Sequence, residues 1–301
     1  MFIAAALASA RAEGMARLDA DLLLLFAMGV PAQQLGTRRV WLLAHDDEPV
    51  EPEVLKRFLA FVQRRNNGEP LAYITGHKAF FGLDLVVDAR VLVPRPDTET
   101  LVQLALDLLN GPEWGQPTEP IRVLDLGTGS GAIALALKHK RRDLIVHAVD
   151  ASADALAVAQ SNASRLDIGL LCFHGSWFDA LAPDARYHCI VSNPPYVQLH
   201  DPHLAALQHE PIQALVAGAD GLDDIRHLVA GAGSRLLPGG WLLLEHGFDQ
   251  GQAVQAMMRD FGFDNCVARS DLGGHWRCTG GRWHGDDLEQ ARLLAGDRPG
   301  K

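Results

Sequence analysis

Between residues 122 and 245 the chain alternates short apolar, β-branched runs with stretches of helical periodicity, and few folds accept that alternation. Strands are expected at 122–126, 145–149, 170–173, 189–192 and 241–245, with helices near 133–139, 153–166 and 225–236. Strand, helix and strand in succession require a crossover that leaves the two strands parallel. The expected fold is therefore α/β, a doubly wound parallel sheet. Such sheets bind ligands beyond the carboxyl ends of their strands, so the residues that follow each strand carry most of the functional information.

The first strand runs into Gly127-Thr128-Gly129-Ser130-Gly131 and then into a helix. Glycines suit a backbone that passes close to a ligand or adopts a conformation a side chain forbids. The form is G-x-G-x-G rather than G-x-G-x-x-G, and no P-loop lysine follows, which lowers the case for a dinucleotide or a nucleoside triphosphate. An ordinary tight turn would read the same way. Asp150 ends the second strand, where a carboxylate can accept both hydroxyls of a ribose or cap the next helix. Ser152 is the better N-cap, which leaves Asp150 for a ligand. Trp177, just past the third strand, fits a pocket wall and the core equally well.

The fourth strand ends in Asn193-Pro194-Pro195-Tyr196. Two prolines stop the sheet and fix the backbone, holding Asn193 and Tyr196 at a strand end. A planar NH2 group delocalises its lone pair and is a poor nucleophile. The Asn193 side-chain oxygen and the Pro194 carbonyl can each accept one of its N–H bonds, returning electron density to nitrogen, while Tyr196 offers a flat face for stacking. No dedicated base is assigned, because a nitrogen alkylated in this way is acidic enough to lose its proton unaided.

Ahead of this region the spacing predicts helices from residue 10 to 68, with Leu18, Leu22, Leu25 and Phe26 on one face and Leu55, Phe58, Leu59 and Val62 on another. Gly29 and Asn67-Gly68 are stop signals. A hairpin is expected over 80–93 around Gly82, then a helix from Asp97-Thr98-Glu99, a linker over 110–120 and a loosely ordered polar tail. The resulting division is a helical N-terminal domain at 1–76, hairpin, helix and linker at 77–120, the α/β domain at 121–284 and the tail at 285–301. A net charge of −10 disfavours general affinity for nucleic acid. Four scattered cysteines, with no C-x-x-C pair, suit the reducing cytoplasm. The apolar start at 2–10 lacks the preceding basic residues of a secretory signal, and no run is long enough to span a membrane. No metal site is expected, since H-E-x-x-H and comparable ligand spacings are absent.

Together these segments resemble the release-factor glutamine methyltransferases, the HemK/PrmC family, from about residue 18 to 283. The N-P-P-Y tetrad is shared with DNA amino-methyltransferases. Gly68-Glu69-Pro70-Leu71-Ala72-Tyr73-Ile74-Thr75-Gly76, Pro94-Arg95-Pro96-Asp97-Thr98-Glu99 and Leu244-Glu245-His246-Gly247 look like this family in particular. Relatives acting on a large-subunit ribosomal protein usually carry P-R-S-P at the second of these. The resemblance implies a class I S-adenosylmethionine methyltransferase fold, Rossmann-like, with a small helical N-terminal domain and a connecting β-hairpin. It implies that Gly127, Thr128, Gly129, Ser130, Gly131, Asp150, Trp177 and Asn193 contact S-adenosylmethionine. Asn193, Pro194, Pro195 and Tyr196 would hold the glutamine of the G-G-Q loop of a peptide-chain release factor. Two departures stand out: Ser176 occupies the place of a usual aspartate, and residues 205–210 are shorter and less polar than is common.

Overall fold

The computed structural model describes residues 1–111 and 119–285, so the centre of the expected linker and nearly all of the tail lie outside the described residues. The chain opens with helices α1 (Ile3–Ala12), α2 (Arg17–Ala27), α3 (Leu35–Ala44), α4 (Pro52–Asn66) and the short α5 (Leu71–Thr75). Their apolar faces meet in one core built on Ile3, Leu23, Leu24, Phe58 and Val62. The two stop signals act by the same device. Gly29 and Gly68 take positive φ, and the Val30 and Glu69 amides reach back to the Leu25 and Arg64 carbonyls. Leu18 and Leu59, read from spacing as core, are exposed instead. The apolar start lies ahead of the expected helical region, yet it forms α1 and buries Ile3, Ala6, Leu7 and Ala10.

The hairpin begins earlier than expected, pairing β1 (His77–Phe80) with β2 (Leu83–Val86). Its loop is Phe81-Gly82, both at positive φ, as a two-residue hairpin turn requires. Asp84 on this hairpin gathers Gln33 from the helical region at 2.9 Å, His77 at 2.9 Å and Arg165 at 3.2 Å. One carboxylate thus joins three parts of the chain. Next comes α6 (Thr98–Leu109), where Glu99 turns back to accept the Phe81 amide at 2.8 Å.

The remaining elements are β3 (Arg122–Leu126), α7 (Ala132–Lys140), β4 (Ile145–Asp150), α8 (Ala153–Arg165), β5 (Leu171–His174), β6 (Tyr187–Ser192), α9 (Asp223–Ala232), β7 (Leu236–Glu245), α10 (Gly251–Asp260), β8 (Phe263–Ser270) and β9 (Trp276–Trp283). The sheet order is β5-β4-β3-β6-β7-β9-β8. Strands β3 to β7 are parallel, but β9 runs antiparallel to β7 and β8, so the sheet is mixed rather than wholly parallel. Residues 237–240, Leu-Pro-Gly-Gly, lie within β7 as an irregularity between the Tyr187–Leu236 and Cys189–Trp241 pairs.

Alternation along each strand sorts its side chains between two faces. Val123, Cys189 and Val191 face α6, α7 and α8, while Leu124, Leu126, Ile190 and Leu244 face α9 and α10. Strand order reverses between β3 and β6, and the loops leaving that pair diverge to opposite faces. A crevice at their carboxyl ends is the geometric result.

Candidate active site

The loop after β3 is held from below before any ligand is considered. Gly127 and Thr128 donate their amides to the Val149 carbonyl at 2.9 and 3.0 Å, and Gly127, Gly129 and Gly131 all take positive φ. Asp125 is fully buried beneath them. One of its oxygens accepts the Thr128 hydroxyl at 2.6 Å and the Ala134 amide at 3.2 Å, and burial pushes its carboxyl up to about 7. Asn162 of α8 adds a second tie, donating to the Ser130 and Val86 carbonyls, each at 3.0 Å, and accepting the Val86 amide. The loop is therefore fixed to both the sheet and the hairpin.

Above it opens a cavity of about 480 Å³. Of the residues singled out in the sequence, Gly127, Thr128, Gly129, Ser130, Asp150, Trp177, Asn193 and Pro195 line it. Gly131, Pro194 and Tyr196 stand behind its wall. Gly131 is the N-cap of α7, where a side chain would meet Leu135 and Ala159, and Pro194 is buried. Tyr196 directs its hydroxyl away from the cavity, to the buried Glu245 at 3.3 Å.

Asp150 is less free than its sequence setting suggests. One oxygen accepts the Gly129 amide at 2.8 Å and the other the Ser152 amide at 2.9 Å, while Ser152 itself caps α8 through the Ala155 amide. A carboxylate oxygen has room for a second donor, so the group can brace the loop and still receive a hydroxyl. Burial raises its pKa, opposed by these two amides. Trp177 sits at φ +45°, a strained setting for an aromatic residue, and its ring lies 3.3 Å from where a Gly127 side chain would begin. Trp177 both lines the cavity and packs on the second core, so the two readings of it are compatible.

Three residues given no site role from the sequence share the wall: Asp224, and Arg95 and Thr98 of the family motif. Asp224, in the first turn of α9, bonds the Trp177 side chain, and burial raises its pKa. Arg95 is held by Glu210 at 2.5 Å, and the same carboxylate accepts the Val93 amide at 3.0 Å. The segment 205–210 thereby ends in an anchor for the cavity's rim. Thr98 receives the Asn193 side-chain nitrogen at 3.4 Å, and the Asn193 oxygen is buried with no partner among the described residues. Asp224 gave no local signal in the sequence. Among the described residues no cluster of His, Cys, Asp or Glu could hold a metal ion, and no helix is long and apolar enough to cross a membrane.

Comparisons with known proteins bear on this geometry. Family models described as the PrmC N-terminal domain and the Methyltransferase small domain match residues 2–76 and 116–270. Among solved structures, the hMettl16 catalytic domain in complex with MAT2A 3'UTR hairpin 6 superposes with a TM-score of 0.52 at 16% identity, over 78% of this chain and 83% of that one. That likeness concerns the fold alone; with the Methyltransferase small domain match over residues 116–270, the α/β part is a class I methyltransferase domain. The release factor glutamine methyltransferase of Pseudomonas aeruginosa is 48% identical over 271 residues, 89% of this chain and 93% of that protein. The protein of the same description from Xylella fastidiosa (strain Temecula1) is 44% identical over 283 residues, 93% of this chain and 98% of that one. The chain belongs to the release factor glutamine methyltransferase family.

Proposed function

We propose that the chain methylates the side-chain amide nitrogen of the glutamine in the G-G-Q loop of a peptide-chain release factor, with S-adenosylmethionine as donor. The observation that carries this reading is the Asn193 oxygen: a buried acceptor without a partner, on a residue that lines the cavity. Buried acceptors are almost always paired, and one left open at a cavity wall suits a donor that arrives with the substrate.

The residues present fit the cofactor. A side chain on Gly129 would meet no protein atom within 4 Å, so that backbone borders open space, and Asp150 keeps acceptor capacity beside it. Gly127 to Gly131, Asp150 and Trp177 would hold S-adenosylmethionine, which when bound supplies an electrophilic methyl group. Asn193 and the Pro194 carbonyl then hold the two N–H bonds of the glutamine amide, and Tyr196, behind the wall, holds the tetrad rigid through its hydroxyl on Glu245. Proximity, orientation and exclusion of water do the rest. The amide loses its proton to solvent without a dedicated base.

We further infer that residues 1–76 form a docking domain, 77–120 its connection and 121–284 the methyltransferase domain, with 285–301 a tail. A protein substrate supports that division, because a loop presented at the end of the sheet needs a second surface to fix its approach. The protein would act in the cytoplasm. It would not bind nucleic acid directly, in keeping with the net charge of −10. The test is mass spectrometry of a release factor after incubation with enzyme and cofactor, beside the same factor carrying asparagine in the loop and beside duplex DNA. Methylation of the glutamine form alone is expected. Methylation of both factors, or of DNA alone, overturns the assignment.

A further inference from the structure

The Leu244-Glu245-His246-Gly247 segment has so far been only a family signature, yet it places an acid in an unusual position. Ser192 pairs with Leu244 across β6 and β7, so Asn193 and Glu245 leave adjacent strands at the same level. Glu245 is fully buried. One carboxyl oxygen accepts the Tyr196 hydroxyl at 3.3 Å, the other is buried without a geometric partner among the described residues, and the Thr98 hydroxyl acts on the same group. Arg277 is the nearest cation, and it is already engaged by Asp271 at 2.9 Å and Asp97 at 3.3 Å. Burial pushes the Glu245 carboxyl up to about 7. A group that destabilises the core in this way calls for a purpose other than packing.

The purpose follows from counting protons. A threonine hydroxyl has one hydrogen to give. As a carboxylate Glu245 can only accept, so Thr98 donates to it, and the Thr98 oxygen is left to accept from the Asn193 side-chain nitrogen at 3.4 Å. With its nitrogen turned toward Thr98, the amide must present its oxygen on the other side, where it stands unpaired. Reversing the Thr98 hydroxyl would favour the flipped amide, which shows a donor to a substrate that is itself a donor.

We propose that Glu245 is a positioning residue for methyl transfer: as a carboxylate it accepts the hydrogen bond of the Thr98 hydroxyl and so fixes the Asn193 amide with its oxygen toward the incoming NH2 group. The inference rests on the reading of Asn193 given above. Glu245 touches neither substrate nor cofactor and acts through Thr98 and Tyr196. Glu245→Gln keeps the shape but brings an NH2 donor that can bond the Thr98 oxygen and release its hydrogen toward Asn193.

The experiment is a double-mutant cycle on the full chain with a release factor as substrate, using Glu245→Gln, Thr98→Val and the two combined. Glu245→Gln should lower kcat about 10- to 100-fold, with KM for the release factor and the calorimetric Kd for S-adenosylmethionine within about twofold and Tm equal or higher. The combined variant should be no slower than the slower single variant, because both act on one amide. Multiplied losses, a full rate in Glu245→Gln, or an effect confined to KM or Kd would overturn the proposal. If Glu245→Gln does not fold, Thr98→Ser against Thr98→Val decides: recovery of rate with serine supports the hydroxyl's role, and equal loss in both refutes it. The unsubstituted protein run alongside reads the release-factor assignment separately. Its failure to methylate overturns that assignment and this proposal together, whereas a full rate in Glu245→Gln overturns this proposal alone.

Discussion

Asn193→Ala separates activity from stability, because the side chain contributes little to the fold. Its oxygen is buried without a partner, and removing an unsatisfied acceptor returns about 1–3 kcal/mol. Against this stand the 3.4 Å bond to Thr98, at the long limit of the interaction and worth under about 1 kcal/mol, and a small cavity costing about 1 kcal/mol. The net change is near zero. At about 2–4 °C per kcal/mol for a domain of this size, Tm should hold within about 4 °C. The rate should behave differently. An acceptor aimed at charge that develops only in the transition state is worth about 2.7–4 kcal/mol, so kcat should fall roughly 10²–10³-fold. Steady-state methylation of a release factor, read by mass spectrometry beside a thermal melt, measures both. A rate within tenfold of the unsubstituted protein refutes the reasoning, as does a loss of activity matched by a collapse of Tm.

Gly129→Val places a β-branched residue at φ +55° with its side chain in the open cavity, so it should lower stability by about 1–2 kcal/mol and abolish cofactor binding in a protein that still folds. Calorimetry showing unchanged affinity would contradict it. Ser176→Asp should strengthen cofactor binding by about 0.5–1.5 kcal/mol if an adenine amino group has lacked an acceptor; weaker binding would show that Asp224 or a backbone group already fills the role. Asp125 and Glu245 are both raised to about 7 by burial, so the folded protein holds two protons that the unfolded chain releases near pH 4. Stability should therefore decline as pH rises through that window, each group contributing up to about 1.4 kcal/mol per pH unit, and level off above pH 7. Thermal melts from pH 4.5 to 8 test the sign, and Glu245→Gln should show the shallower slope.

Much of the site could be read locally. The glycine turn, the N-P-P-Y tetrad and the carboxylate ending β4 each follow their strand directly, so strand order alone brings them together. Helix stops at Gly29 and Gly68 were legible for the same reason: the motif is contained within a few residues. What escaped depends on distant partners. Thr98 meets Asn193 across 95 positions, and Asp224 joins the wall from the far side of the sheet. Strands β8 and β9 were not expected from the sequence, and Gly280-Gly281 in β9 carry no strand signal of their own. In the fold they must be small, since a side chain at Gly280 would begin 2.5 Å from Leu243 and one at Gly281 2.8 Å from Phe263. Tyr196 shows the reverse error: its type suggested stacking, but only the packing reveals where its hydroxyl is anchored.

The insertion of β9 between β7 and β8 sets a timetable for synthesis. Strand β7, which delivers Glu245, is complete 31 residues before Trp276 opens the strand that covers its edge. At roughly 5–20 residues per second, that edge stays unpaired for about 2–6 s on a growing chain. Until β9 arrives, a run from Trp241 to Leu244, apolar and destined for the centre of the sheet, can pair with any other exposed strand. Nascent chains of this protein are therefore most vulnerable to aggregation late in translation, in the interval between the emergence of β7 and that of β9.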